Sequence, residues 1–249
     1  MRVAVAGGTG LVGKLVVAAV RAGGHEPIVL ARSCGVDLTT GEGLDDALAG
    51  SDVIVDVSNV TTTSRSVSVA FFEAGTRELL SAGQRLGVRH HVALSIVGVD
   101  RVNFPYYEGK RRQEALLLED SGRTSVLRCT QLHEFAGQLL RRMRGPIVPV
   151  PRMRSQPIAA TEAAAALLEA VTGEPMGLMA DLAGPEVLEM TDCVRQLVRA
   201  ARLRRVVIPV RLPGAAGRKM AGGALLPTEP GPRGKQTFAE WLQLQQPFH

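Results

Sequence analysis

Tyr106 and Lys110 stand four residues apart in Phe104-Pro-Tyr-Tyr-Glu-Gly-Lys110, so on a helix both side chains leave from one face. A phenol with a pKa of about 10 exchanges protons poorly at neutral pH. An ammonium a few ångströms away stabilises the phenolate and makes proton exchange with a substrate oxygen feasible. Tyr107, three residues from Lys110, fits packing or the lining of a cleft better. Such a pair is common on solvent-facing helices. It gains weight from what precedes it in the chain.

That context begins at the N-terminus. Val3, Ala4, Val5 and Ala6 read as a strand buried on both faces. Gly7, Gly10 and Gly13 follow, and from Leu11 onward apolar residues recur at helical spacing. Strand, glycine-rich turn and helix together predict a dinucleotide-binding unit. Gly7 permits the tight turn, Gly10 lets backbone N–H groups approach a pyrophosphate, and Gly13 lets the helix lie close on the sheet. The positive end of the helix dipole then faces the phosphates.

The ribose end of the second strand selects the dinucleotide. An Asp or Glu there accepts from a 2′-hydroxyl, whereas an Arg accommodates a 2′-phosphate. Here Val29-Leu-Ala31 runs into Arg32 and Ser33 with no carboxylate at the tip. A guanidinium can clamp a phosphate through two hydrogen bonds and Ser33 can add another, so NADP (NADPH) is the expected cofactor. Asp37 suits the adenine edge or a plain turn equally.

Other polar groups carry less. His133 and Glu134 follow Thr130-Gln131; His133 is either a general acid or a packing or capping residue. His90 and His91 enter a strand side by side, point to opposite faces and cannot share a metal. Cys34, Cys129 and Cys193 have no paired spacing, which predicts reduced thiols, a cytoplasmic protein and no metal.

The 249 residues are 45% hydrophobic and only 4% aromatic, as suits a Val/Leu/Ile/Ala core beneath a parallel sheet. No apolar run approaches the roughly 18 residues of a membrane span, and no signal peptide is expected ahead of a strand beginning at Arg2. Net charge is +5, with arginines at 141, 142, 144, 152 and 154 and again at 199, 202, 204 and 205. Neither run is interleaved with base-stacking aromatics. They read as solvated helix faces supplying a field for an anionic cofactor or substrate, with no nucleic acid and no membrane as partner.

The elements that must position these groups alternate. Strands are expected at Pro27–Ala31, Asp52–Val57, His91–Ser95 and Thr124–Arg128, with helices at Leu44–Ala49, Ser66–Leu86 and Tyr106–Ser121. This is an α/β pattern: a Rossmann-like, doubly wound parallel sheet with right-handed crossovers. Only four residues separate Ala31 from the extended Val36-Asp37-Leu38, too few for a crossover helix, so Val36 opens a stub or does not join the sheet in the usual way. Beyond Gly145, Pro146 to Pro157 reads as loop. Helices at Thr161–Val171 and Met190–Ala201, strands near Met179–Leu182 and Val206–Val210, and an irregular flap at Pro213–Gly234 follow. The expected division is a cofactor-binding core at 1–145 and a small C-terminal substrate-binding lobe at 146–249, one domain overall.

The glycine turn, Arg32, Ser95-Ile-Val-Gly-Val-Asp100, the Tyr106/Lys110 pair and Leu127-Arg-Cys-Thr-Gln131 together resemble an atypical short-chain dehydrogenase/reductase of the NmrA-like, NAD(P)H-binding branch. Leu182-Ala-Gly-Pro185 and Thr237-Phe-Ala-Glu-Trp-Leu242 extend the likeness. The resemblance implies hydride transfer to or from a carbonyl or activated double bond of a small organic substrate, by a monomer or homodimer. It implies Tyr106 as proton donor and Lys110 as its activator and ribose anchor. Ser95 would orient the substrate oxygen; the short separation to Tyr106 leaves a strand-end hydroxyl with a backbone partner as the alternative. Thr9, Gly10, Leu11 and Val12 would bind pyrophosphate, while Ser58, Asn59 and Thr130 would approach the rest of the cofactor. A non-catalytic NADP sensor, as found in this branch, is the competing expectation.

Overall fold

The computed structural model of the chain describes residues 1–120 and 122–245. Its elements in chain order begin with β1 (Arg2–Ala6), α1 (Leu11–Ala22), β2 (Glu26–Leu30), α2 (Leu44–Leu48), β3 (Val53–Asp56) and α3 (Arg65–Leu86). Then come β4 (His90–Ile96), α4 (Pro105–Glu119), β5 (Thr124–Cys129), α5 (Glu134–Arg142), β6 (Ile147–Pro151) and β7 (Arg154–Ser155). The chain continues through α6 (Ala160–Thr172), β8 (Gly177–Leu178), β9 (Leu188–Glu189), α7 (Met190–Ala200), β10 (Val206–Val210), α8 (Gly214–Ala221) and α9 (Phe238–Leu244). The sequence carries α4 on to Ser121, which lies outside the described residues.

Two compact units interleave along this chain. The first takes residues 1–96, 104–128 and 161–180; the second takes 97–103, 129–160 and those from 181 on. Residues 129–145 belong to the second unit, and 161–180 to the first.

The first unit is built on a six-stranded parallel sheet in the order β2-β1-β3-β4-β5-β8. Val3 to Ala6 and Val53 to Val55 are buried, as central strands covered on both faces must be. One side of the sheet closes on Leu30, Leu44, Leu48, Ile54, Leu79 and Val88. Helix α3 begins at an N-cap, Ser64, whose side chain accepts from the Val67 N–H. It packs closely on α4 where Gly109 meets Ser68; a Cβ there would lie 2.3 Å from the Ser68 hydroxyl. Glu114 and Arg128 tie α4 to β5 through a two-bond pair of 2.9 and 2.7 Å.

A full doubly wound sheet carries one more strand beyond β2. Here Arg32–Cys34 form a 3₁₀ turn, and Val36 and Leu38 drop into the core beside Leu44 instead. Strand β2 is left at the edge, pairing among the described residues with β1 alone. The Glu26 N–H donates to Met1 and the Leu30 carbonyl accepts from Gly7, so 26, 28 and 30 face β1 and Pro27 faces outward.

Three expectations need correction. The strand placed near Met179–Leu182 is β8 at Gly177–Leu178, although the Met179 N–H still donates to Val126. The Pro146–Pro157 loop contains β6 and β7. Among the described residues strand β6 pairs with β10 alone, and such an edge strand tolerates Pro149 and Pro151. The irregular flap contains α8, whose glycines Gly214 and Gly217 lower its helical signature.

The second unit joins β6 to β10 in parallel and β7 to β9 in antiparallel register. Helix α9 starts in a Thr237/Glu240 capping box. His133 is fully buried, its ring 5.5 Å from both Phe238 and Trp241, so its role is packing. Among the described residues no helix is long and apolar enough to cross a membrane.

Candidate active site

The site grows from the turn between β1 and α1. Gly7 adopts φ +78°, a conformation glycine reaches without strain. A Cβ there would sit 2.8 Å from the Ser58 Cα, so the turn rests on the backbone just past β3. Gly13 is buried, and a Cβ on it would lie 2.1 Å from the Gly7 carbonyl oxygen. At Gly10 the picture differs: a Cβ would approach only the Gly7 oxygen, at 3.2 Å, and otherwise open space. Thr9, Gly10 and Leu11 are exposed and Val12 is half-buried. No side chain caps α1 and its first turn has no acid, so the N–H groups of its first turn lack partners within the helix. This open, glycine-floored cradle of free N–H groups fits a pyrophosphate.

The Gly7 N–H donates to Leu30 at 3.0 Å, which sets the end of β2 beside the turn. Arg32 and Ser33 follow there, both exposed. The Arg32 guanidinium has no hydrogen bond among the described residues, and its charge reaches Asp37. Asp37 itself is a turn residue. Its carboxylate accepts from the Thr39 N–H and hydroxyl, which hold its pKa below the ordinary value.

The same Ser58–Asn59 segment reaches the α4 pair. The Tyr106 hydroxyl donates to the Asn59 side-chain oxygen at 2.7 Å, and the Ser68 hydroxyl donates to the Tyr106 carbonyl at 2.7 Å. The Tyr106 ring stacks edge-on against Phe72, centroids 5.8 Å apart. Ser58, Asn59, Tyr106 and the glycine turn therefore form one continuous surface.

Lys110 is held differently from what the four-residue spacing predicts. Its Nζ donates to the Leu94 carbonyl at 2.9 Å and to the Gln113 Oε1 at 2.8 Å, and lies 4.5 Å from the centre of the Phe72 ring. Gln113 in turn donates to Asp56 Oδ2 at 2.7 Å, and Asp56 Oδ1 accepts the Ser58 N–H at 2.9 Å. Burial pushes the Lys110 ammonium down to about 8, against the pull of Asp56 and Glu114. Tyr106 moves upward from 10.0, chiefly through burial and then through Tyr107. The phenol-lowering ammonium expected from the sequence is thus not what the chain by itself provides; no hydrogen bond joins Lys110 to Tyr106.

Ser95 lies near the end of β4, 3% exposed, and its hydroxyl has no hydrogen-bond partner among the described residues. The alternative of a backbone partner is therefore not met. Such an orphan hydroxyl near the carboxyl end of a parallel strand sits where α/β folds take ligands. Thr130 belongs to the second unit, where its hydroxyl donates to the Gln156 carbonyl at 2.6 Å.

Asp56 and Gln113 are absent from the expected site. A carboxylate ending the otherwise apolar Val53-Ile-Val run signals Asp56 in retrospect. Gln113, three residues past Lys110, carries no signal of its own.

No family model and no curated protein matches the chain. Solved structures do. MoeE5 in complex with UDP-glucuronic acid and NAD is similar at a TM-score of 0.75 and 16% identity, over 98% of this chain and 97% of that one. A short-chain dehydrogenase/reductase superfamily protein from Agrobacterium tumefaciens with bound NAD gives 0.70 and 20%, over 98% and 95%. UDP-N-acetylglucosamine 4-epimerase from Bacillus cereus gives 0.68 and 17%, over 98% and 96%. The chain has the Rossmann-like α/β fold of these structures.

Proposed function

We propose that this protein is an NADP(H)-dependent oxidoreductase of the atypical, NmrA-like short-chain type, reducing a carbonyl or activated double bond of a small organic substrate. The observation that carries this reading is the continuity from the glycine cradle through Ser58 and Asn59 to the Tyr106 hydroxyl. Structural neighbours whose names include bound NAD, among them one short-chain dehydrogenase/reductase, support a nicotinamide carrier.

Leu11, Val12 and Gly13 would hold the pyrophosphate by backbone N–H groups, with Gly10 leaving room for its approach, and Arg32 with Ser33 would hold the 2′-phosphate. When bound, the nicotinamide supplies or accepts the hydride. Tyr106 holds a proton on its hydroxyl throughout the neutral range, because burial keeps the phenol protonated. Asn59 aims that hydroxyl, and a substrate oxygen must displace Asn59 as its acceptor. The unpartnered Ser95 hydroxyl would donate to the same substrate oxygen. Lys110, through Gln113 and Asp56, fixes α4 against the Ser58 loop.

A second reading, a non-catalytic NADP sensor, draws on one observation. Lys110 is satisfied by Leu94, Gln113 and the Phe72 face, so it does not activate the phenol in the chain alone. Titrating NADPH, NADP, NADH and NAD by cofactor fluorescence, then assaying ketones, quinones and enones, separates the readings. NADPH bound at least tenfold more tightly than NADH, with Tyr106-dependent turnover, is the expected result. Tight binding without turnover on any substrate supports the sensor; no binding overturns both.

A further inference from the structure

The two arginine runs that look unrelated in sequence converge in the second unit. Helices α5 and α7 each carry arginine in the last turn, each leads through a short loop into a strand, and those strands, β6 and β10, pair in parallel with Val206 opposite Ile147. Both loops therefore lie at the same end. The Val206 N–H donates to the Pro146 carbonyl at 2.7 Å, and the Arg205 guanidinium ties to the carbonyls of Gly145, Met143 and Leu140. Arg205 is spent as a clamp. Arg141, Arg142 and Arg144 on one side, and Arg199, Arg202 and Arg204 on the other, are exposed and have no ion pair or hydrogen bond among the described residues.

Cations at helix C-termini complement the dipole, which accounts for Arg141, Arg142 and Arg199. It does not account for the loop arginines. Arg202 occupies the left-handed position closing α7, φ 51°, with Leu203 N–H bonding back to Val198, a place where glycine is the relaxed choice. Among these charges stand aliphatic side chains turned to water: Ile147 at 55%, Val206 at 63%, Ile208 at 41% and Leu203 at 40% exposure. On the pair β6–β10, Ile147, Val206 and Ile208 share one face, since Val206 opposes Ile147 and Ile208 opposes the exposed Pro149, while Val148, Val150 and Val207 are buried on the other.

We infer that this arginine-rimmed aliphatic face docks the protein onto an anionic lipid bilayer surface. Charge complementarity selects an anionic partner. The aliphatic side chains select one that has an apolar interior to receive them, and among the described residues named on this face there is no aromatic ring on which nucleic-acid bases would stack. Such docking is peripheral, needs no spanning segment, and departs from the sequence expectation that these charges face solvent with no membrane partner.

Co-sedimentation of the full chain with phosphatidylcholine vesicles, with and without phosphatidylglycerol, tests this. Binding to the phosphatidylglycerol vesicles alone, weakening as salt rises, is expected. The double charge reversal Arg144→Glu/Arg204→Glu should lower the partition coefficient at least about tenfold. The pair Ile147→Ser/Val206→Ser should abolish the binding that survives high salt. All variants should keep the circular dichroism spectrum of the parent chain. No binding at low salt, equal binding to both vesicle types, unchanged binding by the charge-reversed variant, or preferential capture by duplex DNA or RNA would each overturn the inference.

Discussion

The Tyr106 hydroxyl donates to the Asn59 side-chain oxygen across the gap between α4 and the loop past β3, at 2.7 Å. This bond couples the group proposed to deliver a proton with the segment on which the glycine turn rests. Tyr106→Phe should therefore cut turnover by about 10²- to 10⁴-fold while leaving the dinucleotide dissociation constant unchanged. Steady-state kinetics beside a fluorescence titration reads both. Loss of cofactor binding in this variant would contradict the assignment.

Gln113 bridges two buried groups that cannot reach water, the Lys110 ammonium and the Asp56 carboxylate. Gln113→Leu keeps the bulk and removes both bonds. Unfolding in urea should show a loss of about 3 kcal/mol, since Lys110 keeps Leu94 and Asp56 keeps the Ser58 N–H but each of these charged groups loses a hydrogen bond, worth about 1.5–3 kcal/mol. A change below about 0.5 kcal/mol would mean that the chain of bonds contributes nothing to stability.

His91 is buried with neither ring nitrogen partnered among the described residues, and burial drives its pKa from 6.5 down to about 4, Asp56 opposing. The unfolded chain thus binds this proton more readily than the folded one. Stability should be full above pH 6.5 and fall as pH drops toward 4, by about 3 kcal/mol from this residue. His91→Leu should flatten that part of the profile in denaturant titrations across the range.

Gly10 and Gly13 make opposite demands. Gly13→Ala forces a methyl to 2.1 Å from the Gly7 oxygen, so the variant should lose both thermal stability and cofactor binding. Gly10→Ala meets only one atom, at 3.2 Å, and should melt within a few degrees of the parent. Its methyl nevertheless stands where phosphate must approach, so the dinucleotide dissociation constant should rise at least about tenfold. Calorimetry and titration of both variants check the contrast.

The cofactor turn is readable in sequence because its requirements are local: a buried strand, glycines at fixed offsets, a helix. The parallel core follows for the same reason, from apolar runs alternating with helical spacing. What stays hidden is non-local. Lys110 turns toward Leu94 and Gln113 because Asp56, fifty-four residues away, sits beneath α4. The helical spacing of Tyr106 and Lys110 fixes a shared face, not a shared partner. Likewise the arginine runs at 141–144 and 199–205 meet through the β6–β10 register and the Arg205 clamp, neither of which a local pattern encodes.

The missing outer strand leaves the chain with a free border at β2, and Pro27 occupies it with its ring turned outward. A strand with an unused row of donors and acceptors invites another chain to zip alongside; an imino acid in that row withholds a donor and supplies a bulky ring. The shortened crossover thus carries its own safeguard against fibrous stacking of one molecule on the next.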